Sequence, residues 1–308
     1  MRPLRPVARA VLALLVASAL PVRAPAARQA IYRSGVDLVQ IGVSVNDRRG
    51  QVVAGLTADD FEIFEDGRPQ TVTYFSGGEG PGLELHLGLL LDVSGSMESD
   101  IAFTRSASIR FLNTMTEAVD MTLVDFDTEV RAARFSQAEF PRLVERIRMQ
   151  PTQGETALFD AIGLYLDGAA EQSGRTVMLL YTDGGDTRSV LRMPEMLDLV
   201  RASDATIYPI GVLNARSTRV RAEQMSVLRR IAEAAGGQAF FPASVEQLDE
   251  VYAQVADAIR GRYTLGYVST NARLDGQWRK VEIKVKRPDA RNLRIQARRG
   301  YFAPLRRE

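Results

Sequence analysis

From Leu85 to Val93 the chain is apolar at nearly every position, and the run ends in Asp92-Val93-Ser94-Gly95-Ser96. A segment this short and continuously apolar is a strand buried on both faces. Both faces of a strand are hidden only where helices cover both sides of a sheet, so this run predicts a mostly parallel sheet. The rest of the central region agrees. Met121–Phe126, Thr176–Tyr181 and Thr206–Val212 read as further strands. Helical stretches lie between and after them: one carries Ile101, Ile109, Leu112, Met115 and Val119, and others cover Phe140–Ile147, Ala157–Ala170, Met193–Ala202, Met225–Ala235 and Val245–Ile259. Gly236-Gly237 stops the fifth of these helices. Ala239–Phe241 reads as a short strand. The expectation is an α/β fold, a Rossmann-like, doubly wound, mostly parallel sheet over residues 84–260.

The flanks read differently. Val36–Val45 alternates in part, and Asn46-Asp47-Arg48-Arg49-Gly50 is a turn cluster. Phe61-Glu62-Ile63-Phe64 leads into the hairpin-type turn Glu65-Asp66-Gly67, and Thr71–Phe75 follows. Beyond Gly261, strands are predicted at Tyr263–Val268, Trp278–Val285 and Leu293–Ala297. The N-terminal β segment (35–78) and the C-terminal one (262–304) are expected to pair in one small β-sandwich, with the α/β domain inserted between them. Insertion of this kind works where chain ends lie close together. A glycine-rich linker, residues 77–82, separates the first segment from the sheet.

The N-terminus addresses destination. Arg2, Arg5 and Arg9 precede an apolar run from Ala10 to Leu20, followed by Ala24-Pro25-Ala26. The run is too short to span a bilayer, which takes about 20 residues. The three-part pattern predicts a cleaved secretory signal over residues 1–27, with an uncleaved anchor as the competing reading. The mature chain is expected to be exported, to a periplasm, a cell surface or the medium, and to carry no transmembrane segment. Without cysteine, the chain has no disulfides, thiolate metal sites or cysteine nucleophile. A net charge of +1 gives no bulk field to select nucleic acid. From Arg262 onward there are thirteen Lys/Arg against four Asp/Glu; a solvated strand face is the plainer reading, a polyanion-binding surface the other.

Three loops carry candidate chemistry. Asp92, Ser94 and Ser96 follow the first buried strand, at the carboxyl edge where ligand sites form in open α/β sheets. Thr156 lies in Gly154-Glu155-Thr156-Ala157-Leu158 before a helix, and Asp183 ends the strand Thr176–Tyr181. One such residue alone is often a helix N-cap, but three loops on one edge favour a site. Oxygen-only ligands suit a hard cation, Mg2+ with Mn2+ or Ca2+ as alternatives.

The stretches Asp92-Val93-Ser94-Gly95-Ser96-Met97, Gly154-Glu155-Thr156-Ala157-Leu158-Phe159-Asp160-Ala161 and Tyr181-Thr182-Asp183-Gly184 resemble the metal-ion-dependent adhesion site of von Willebrand factor type A domains. The flanks, at Val53-Ala54-Gly55-Leu56 to Phe61 and at Tyr263-Thr264-Leu265-Gly266-Tyr267, resemble exported bacterial relatives of that family. The resemblance implies that Ser94, Ser96 and Thr156 approach the ion, with Asp92 and Asp183 acting directly or through water. It also implies a protein partner presenting Glu or Asp to the open coordination position.

Competing readings remain. A metal-dependent hydrolase would need a positioned nucleophile or base, and the sequence has no G-x-S-x-G elbow and no histidine near these loops. The binding module is therefore read as non-enzymatic. A structural protein that binds through its β-sandwich is the other alternative. His86 is read as structural, Asp160 and Asp186 as capping or supporting groups, Glu155 as a solvated loop acid, Asp125 and Asp127 as turn residues, and Trp278 as core.

Overall fold

The computed structural model describes residues 38–77, 84–213, 217–243, 245–287 and 289–305. The secretory signal over residues 1–27, the start of the first β segment and most of the glycine-rich linker lie outside the described residues.

In chain order the elements are β1 (Leu38–Asn46), β2 (Phe61–Glu65), β3 (Arg68–Gln70), β4 (Val72–Ser76), β5 (Leu85–Asp92), α1 (Ile101–Thr114), β6 (Ala118–Phe126) and β7 (Val130–Ser136). There follow α2 (Phe140–Met149), α3 (Leu158–Ala169), β8 (Arg175–Thr182), α4 (Met193–Ala202), β9 (Thr206–Gly211), α5 (Thr218–Ala234) and α6 (Val245–Arg260). The chain then closes with β10 (Tyr263–Val268), β11 (Trp278–Val285), β12 (Arg294–Ala297) and β13 (Gly300–Phe302).

The central sheet has the order β7-β6-β5-β8-β9. β6, β5, β8 and β9 run parallel, and β7 adds an antiparallel edge. Every residue of β5 is buried, as its unbroken apolar run requires. Leu87, Leu89 and Leu91 face one layer with Phe111 of α1, Leu143 of α2 and Val255 of α6. Leu90 faces the other with Ile162 of α3, Met196 of α4 and Ile231 of α5. The fold is α/β, a mostly parallel sheet between two helical layers, as the apolar runs predict.

The terminal strands form two antiparallel sheets, β12-β1-β10-β4 and β13-β11-β2-β3. They share a core that includes Ile41, Val43, Ile63, Leu265, Tyr267 and Val281. Glu65 is buried within it. Its carboxylate accepts from the hydroxyls of Tyr267 at 2.8 Å, Tyr301 at 2.9 Å and Ser269 at 2.6 Å.

Local departures from the sequence reading have local causes. α1 ends at Thr114, where the Thr114 hydroxyl turns back on the Phe111 carbonyl at 2.7 Å. Val119, read as an apolar position of that helix, is an exposed residue of β6. The turn at Asp66-Gly67, with φ of 48° and 80°, returns the chain into the three-residue β3. β4 then crosses to pair with β10. β7, unmarked in the sequence, holds Arg131 and Arg134 on a half-exposed edge, so it carries no apolar run.

Candidate metal centre

The carboxyl edge of the central sheet is built from backbone outward. After β5, Ser94 stays extended and Gly95–Met97 forms one tight 3-10 turn. The Val93 carbonyl accepts from the Gln153 amide at 2.9 Å, and the Gly95 amide donates to the Gly154 carbonyl at 3.1 Å. The second connection is thereby laid along the first. Gly154 has φ 72°, and a Cβ there would lie 2.4 Å from the Thr128 hydroxyl, so both conformation and space demand glycine.

The same connection reaches the third loop. The Ala157 amide donates to the Asp127 carbonyl at 2.9 Å, and the Thr187 and Arg188 amides donate to the Thr156 carbonyl at 2.9 and 3.0 Å. The Thr156 amide donates in return to the Thr187 hydroxyl at 3.0 Å. Three connections are therefore joined by backbone hydrogen bonds, a rigid way to hold side chains from distant positions.

Within this frame Asp92 is fully buried. One of its oxygens accepts from the Ser94 hydroxyl at 2.5 Å and the Ser94 amide at 3.0 Å. The other accepts from the Thr182 hydroxyl at 2.6 Å. The Ser94 and Ser96 hydroxyls lie 3.1 Å apart. Asp183, also buried, accepts from the Gly185 amide at 2.8 Å and from Gln224 of α5 at 3.3 Å. Thr156 is buried on the connection between them, while Ser96 is exposed. All five residues singled out in the sequence thus lie on one edge. Asp92, Ser94 and Ser96 are in direct contact, Asp183 follows Thr182, and Thr156 is tied to both neighbours through Gly154 and Thr187.

The electrostatics are unbalanced. Burial pushes the Asp92 carboxyl up to about 7, the Ser94 and Thr182 hydrogen bonds oppose this, and the Asp183 charge adds to the rise. Among the described residues the groups that act most on Asp92 are hydroxyls, an amide and another acid. A cation would relieve the buried Asp92 carboxylate. The donor set fits a hard cation: two carboxylates and three hydroxyls, all oxygen. Among the described residues no cluster of three or more His, Asp or Glu side chains is placed to hold a metal. An ion here would depend on the hydroxyls as well as on Asp92 and Asp183.

The sequence reading left out three supporting groups. Thr182 sat beside Asp183 in a strand that reads as uniformly buried, so its hydroxyl contact with Asp92, 90 residues away, had no periodic signature. Thr187 and Gln224 had none either. Asp160 and Asp186 act around the start of α3. Asp186 accepts from the Phe159 amide at 3.2 Å, and Asp160 from the Val190 and Leu191 amides at 2.8 and 2.9 Å. Glu155 is exposed, 3.9 Å from Arg188.

Asp127 serves its turn by accepting from the Glu129 amide at 2.8 Å. Asp125 does something else. It is fully buried and accepts from Arg131 at 2.6 Å, Arg146 at 2.6 Å and Gln150 at 3.2 Å, anchoring α2 to β6. His86 lies at the opposite end of β5, bonded to Asp120 at 2.9 Å and to the Ser173 carbonyl at 3.0 Å. Trp278 packs edge-on against Phe302 at 5.0 Å between centroids.

A family model for the von Willebrand factor type A domain matches residues 86–254. No curated protein matches the chain. Among solved structures it is similar to the open conformation of the pilus adhesin SpaC from Lactobacillus rhamnosus GG. There the identity is 10%, the TM-score 0.50, and the match covers 85% of this chain and 48% of that one. It is similar to the PilB minor pilin from Streptococcus sanguinis at 12% identity and TM-score 0.49, covering 59% of this chain and 62% of that one. It is similar to a von Willebrand factor type A protein from Catenulispora acidiphila at 13% identity and TM-score 0.47, covering 87% of this chain and 74% of that one. The chain spans 48% of the adhesin and 62% of the pilin. At these identities the likeness concerns fold alone.

Proposed function

From the premise that the chain belongs to the von Willebrand factor type A domain family, we propose that it is an exported, metal-dependent protein-interaction module of adhesion type and not an enzyme. Asp92, Ser94, Ser96, Thr156 and Asp183 are the residues that would hold one Mg2+, with Mn2+ or Ca2+ as substitutes. Bound there, the ion would offer an open coordination position to a Glu or Asp carboxylate of a protein partner.

The observation that carries this reading is the state of Asp92. Its carboxylate is wholly buried beside a second buried acid, within hydroxyl donors and, among the described residues, without a basic partner. A cation is the simplest group that makes such an arrangement favourable. The surroundings also weigh against hydrolysis. His86 is at the far end of β5, and it meets Ser173 through that residue's carbonyl, so no hydroxyl nucleophile is paired with it. Among the described residues no helix is long and apolar enough to cross a membrane.

Calorimetry with Mg2+ and Mn2+ tests the site. Asp92→Ala is expected to abolish binding and Thr156→Ala to weaken it at least tenfold, both with native circular dichroism. Normal uptake by a folded Asp92→Ala protein would refute the assignment. Capture of partners from envelope extract should then require Mg2+ and fail in EDTA. Capture that survives EDTA but is lost on deletion of residues 262–308 would move the binding role to the β-sandwich.

A further inference from the structure

At the edge of the sheet opposite Asp92, a cleft of about 90 Å³ separates the starts of β8 and β9 from the sheet that holds β1 and β10. Its lining brings together three arginines from distant parts of the chain, Arg175, Arg262 and Arg298, with the hydroxyl residues Thr176, Thr206 and Thr264. Arg175 opens β8, Arg262 immediately precedes β10, and Arg298 follows β12.

Arg298 is paired with Asp204, whereas Arg262 and Arg175 are held without a carboxylate partner among the described residues. Arg262 donates one Nη2 bond to the Gly42 carbonyl at 3.0 Å and lies against the Tyr208 hydroxyl. Arg175 donates through Nη1 to the Ile259 carbonyl at 2.9 Å. Neither a carbonyl nor a phenol cancels a full charge. Arg262 Nη1 and Arg175 Nε are buried without a hydrogen-bond partner among the described residues. The acids that border the region are engaged by arginines, one of them Arg298 of the cleft itself. Asp204 is itself exposed, and Glu117 pairs with Arg260 while its charge also reaches Arg175. Burial and the charges of Arg175 and Arg298 lower the proton affinity of the Arg262 guanidinium. A guanidinium does not deprotonate in a protein, so that tension calls for a counter-anion.

The backbone is shaped around this arginine. A Cβ on Gly42 would fall 2.1 Å from Arg262 Nε. Glycine at this point of β1 is what lets the guanidinium cross the strand and reach the cleft.

We propose that this cleft binds a small tetrahedral oxyanion of the phosphate or sulfate class, which joins the α/β sheet to the β-sandwich. Planar guanidinium forks match the oxygens of such an ion, and threonine hydroxyls can take its remaining oxygens. The volume is several times what one water needs. The site is independent of the metal edge.

The test uses the full chain in EDTA, so that no divalent ion contributes. Inorganic phosphate, sulfate and O-phosphoserine are titrated at low millimolar concentration against chloride of equal ionic strength, below the range where excluded salts stabilise proteins generally. Saturable one-to-one heat is expected, with a rise in the unfolding midpoint of about 3–5 °C at roughly tenfold excess over Kd. A response to phosphate and sulfate alone assigns a free ion, and a response to O-phosphoserine as well assigns an ester. Arg262→Met and Arg175→Met should each lose the response by at least tenfold in affinity. A wild-type midpoint equal in all salts without saturable heat would overturn the proposal, even if neither variant folds. So would a folded Arg262→Met protein that responds as the wild type does.

Discussion

Thr182 shows how much of a site can rest on one hydroxyl. It donates to Asp92 at 2.6 Å and accepts from the Gly184 amide at 3.0 Å. It thus ties the first acid to the loop that carries the second, without belonging to the proposed ligand set. Outer groups of this kind hold a ligand's orientation, and their loss typically lowers metal affinity about 10–100-fold. Thr182→Val keeps the shape and removes both contacts. Calorimetry is expected to show Mg2+ or Mn2+ affinity reduced at least tenfold, with unchanged stoichiometry and a native fold. Affinity equal to that of the wild type would assign Thr182 to the core alone.

At the scale of elements, the approach of α3 to β5 decides where the second loop ends. Gly88 is the point of closest packing, since a Cβ there would lie 2.2 Å from the Tyr165 ring. The ring is buried and cannot swing away without opening the layer formed by Leu90, Leu158 and Ile162. Gly88→Ala is therefore expected to destabilise the protein by about 1–3 kcal/mol, the usual cost of overpacking. Urea unfolding measures this, and an unchanged midpoint would refute it. The strands and helices themselves were largely legible. β5 announces itself because burial on both faces leaves polar residues only near its ends, at His86 and Asp92, and α4 and β10 are bounded in the sequence as they are in the structure. β7 and β13 were not legible, because a short, half-exposed strand owes its existence to a neighbour's hydrogen bonds.

At the scale of the molecule, the terminal segments close on each other around Glu65. β1 lies between β10 and β12, strands more than 200 residues later. The carboxylate of Glu65 in one sheet is met by Tyr267 of the other and by Tyr301. A buried carboxylate that loses a donor retains its desolvation penalty, typically about 1–3 kcal/mol. Tyr267→Phe should lower stability by that amount, and Tyr267→Phe with Tyr301→Phe by more than either alone. Denaturant unfolding monitored by tryptophan fluorescence is a suitable probe, because Trp278 lies in β11, a strand of one of these two sheets. Two variants as stable as the wild type would mean that the hydroxyls do not stabilise the sandwich through Glu65.

By itself the sequence determined the α/β class, the main strands and helices, and the three loops that hold candidate oxygens. Each of these is written in periodicity, apolar runs or turn residues, which act over a few neighbouring positions. Only the tertiary structure decided which hydroxyl supports Asp92, how the second and third loops are tied together, and that Arg262 crosses Gly42 to meet Arg175. Those pairings join residues separated by tens to hundreds of positions. They follow from how packed layers bring chain segments together, and a linear pattern holds no trace of them.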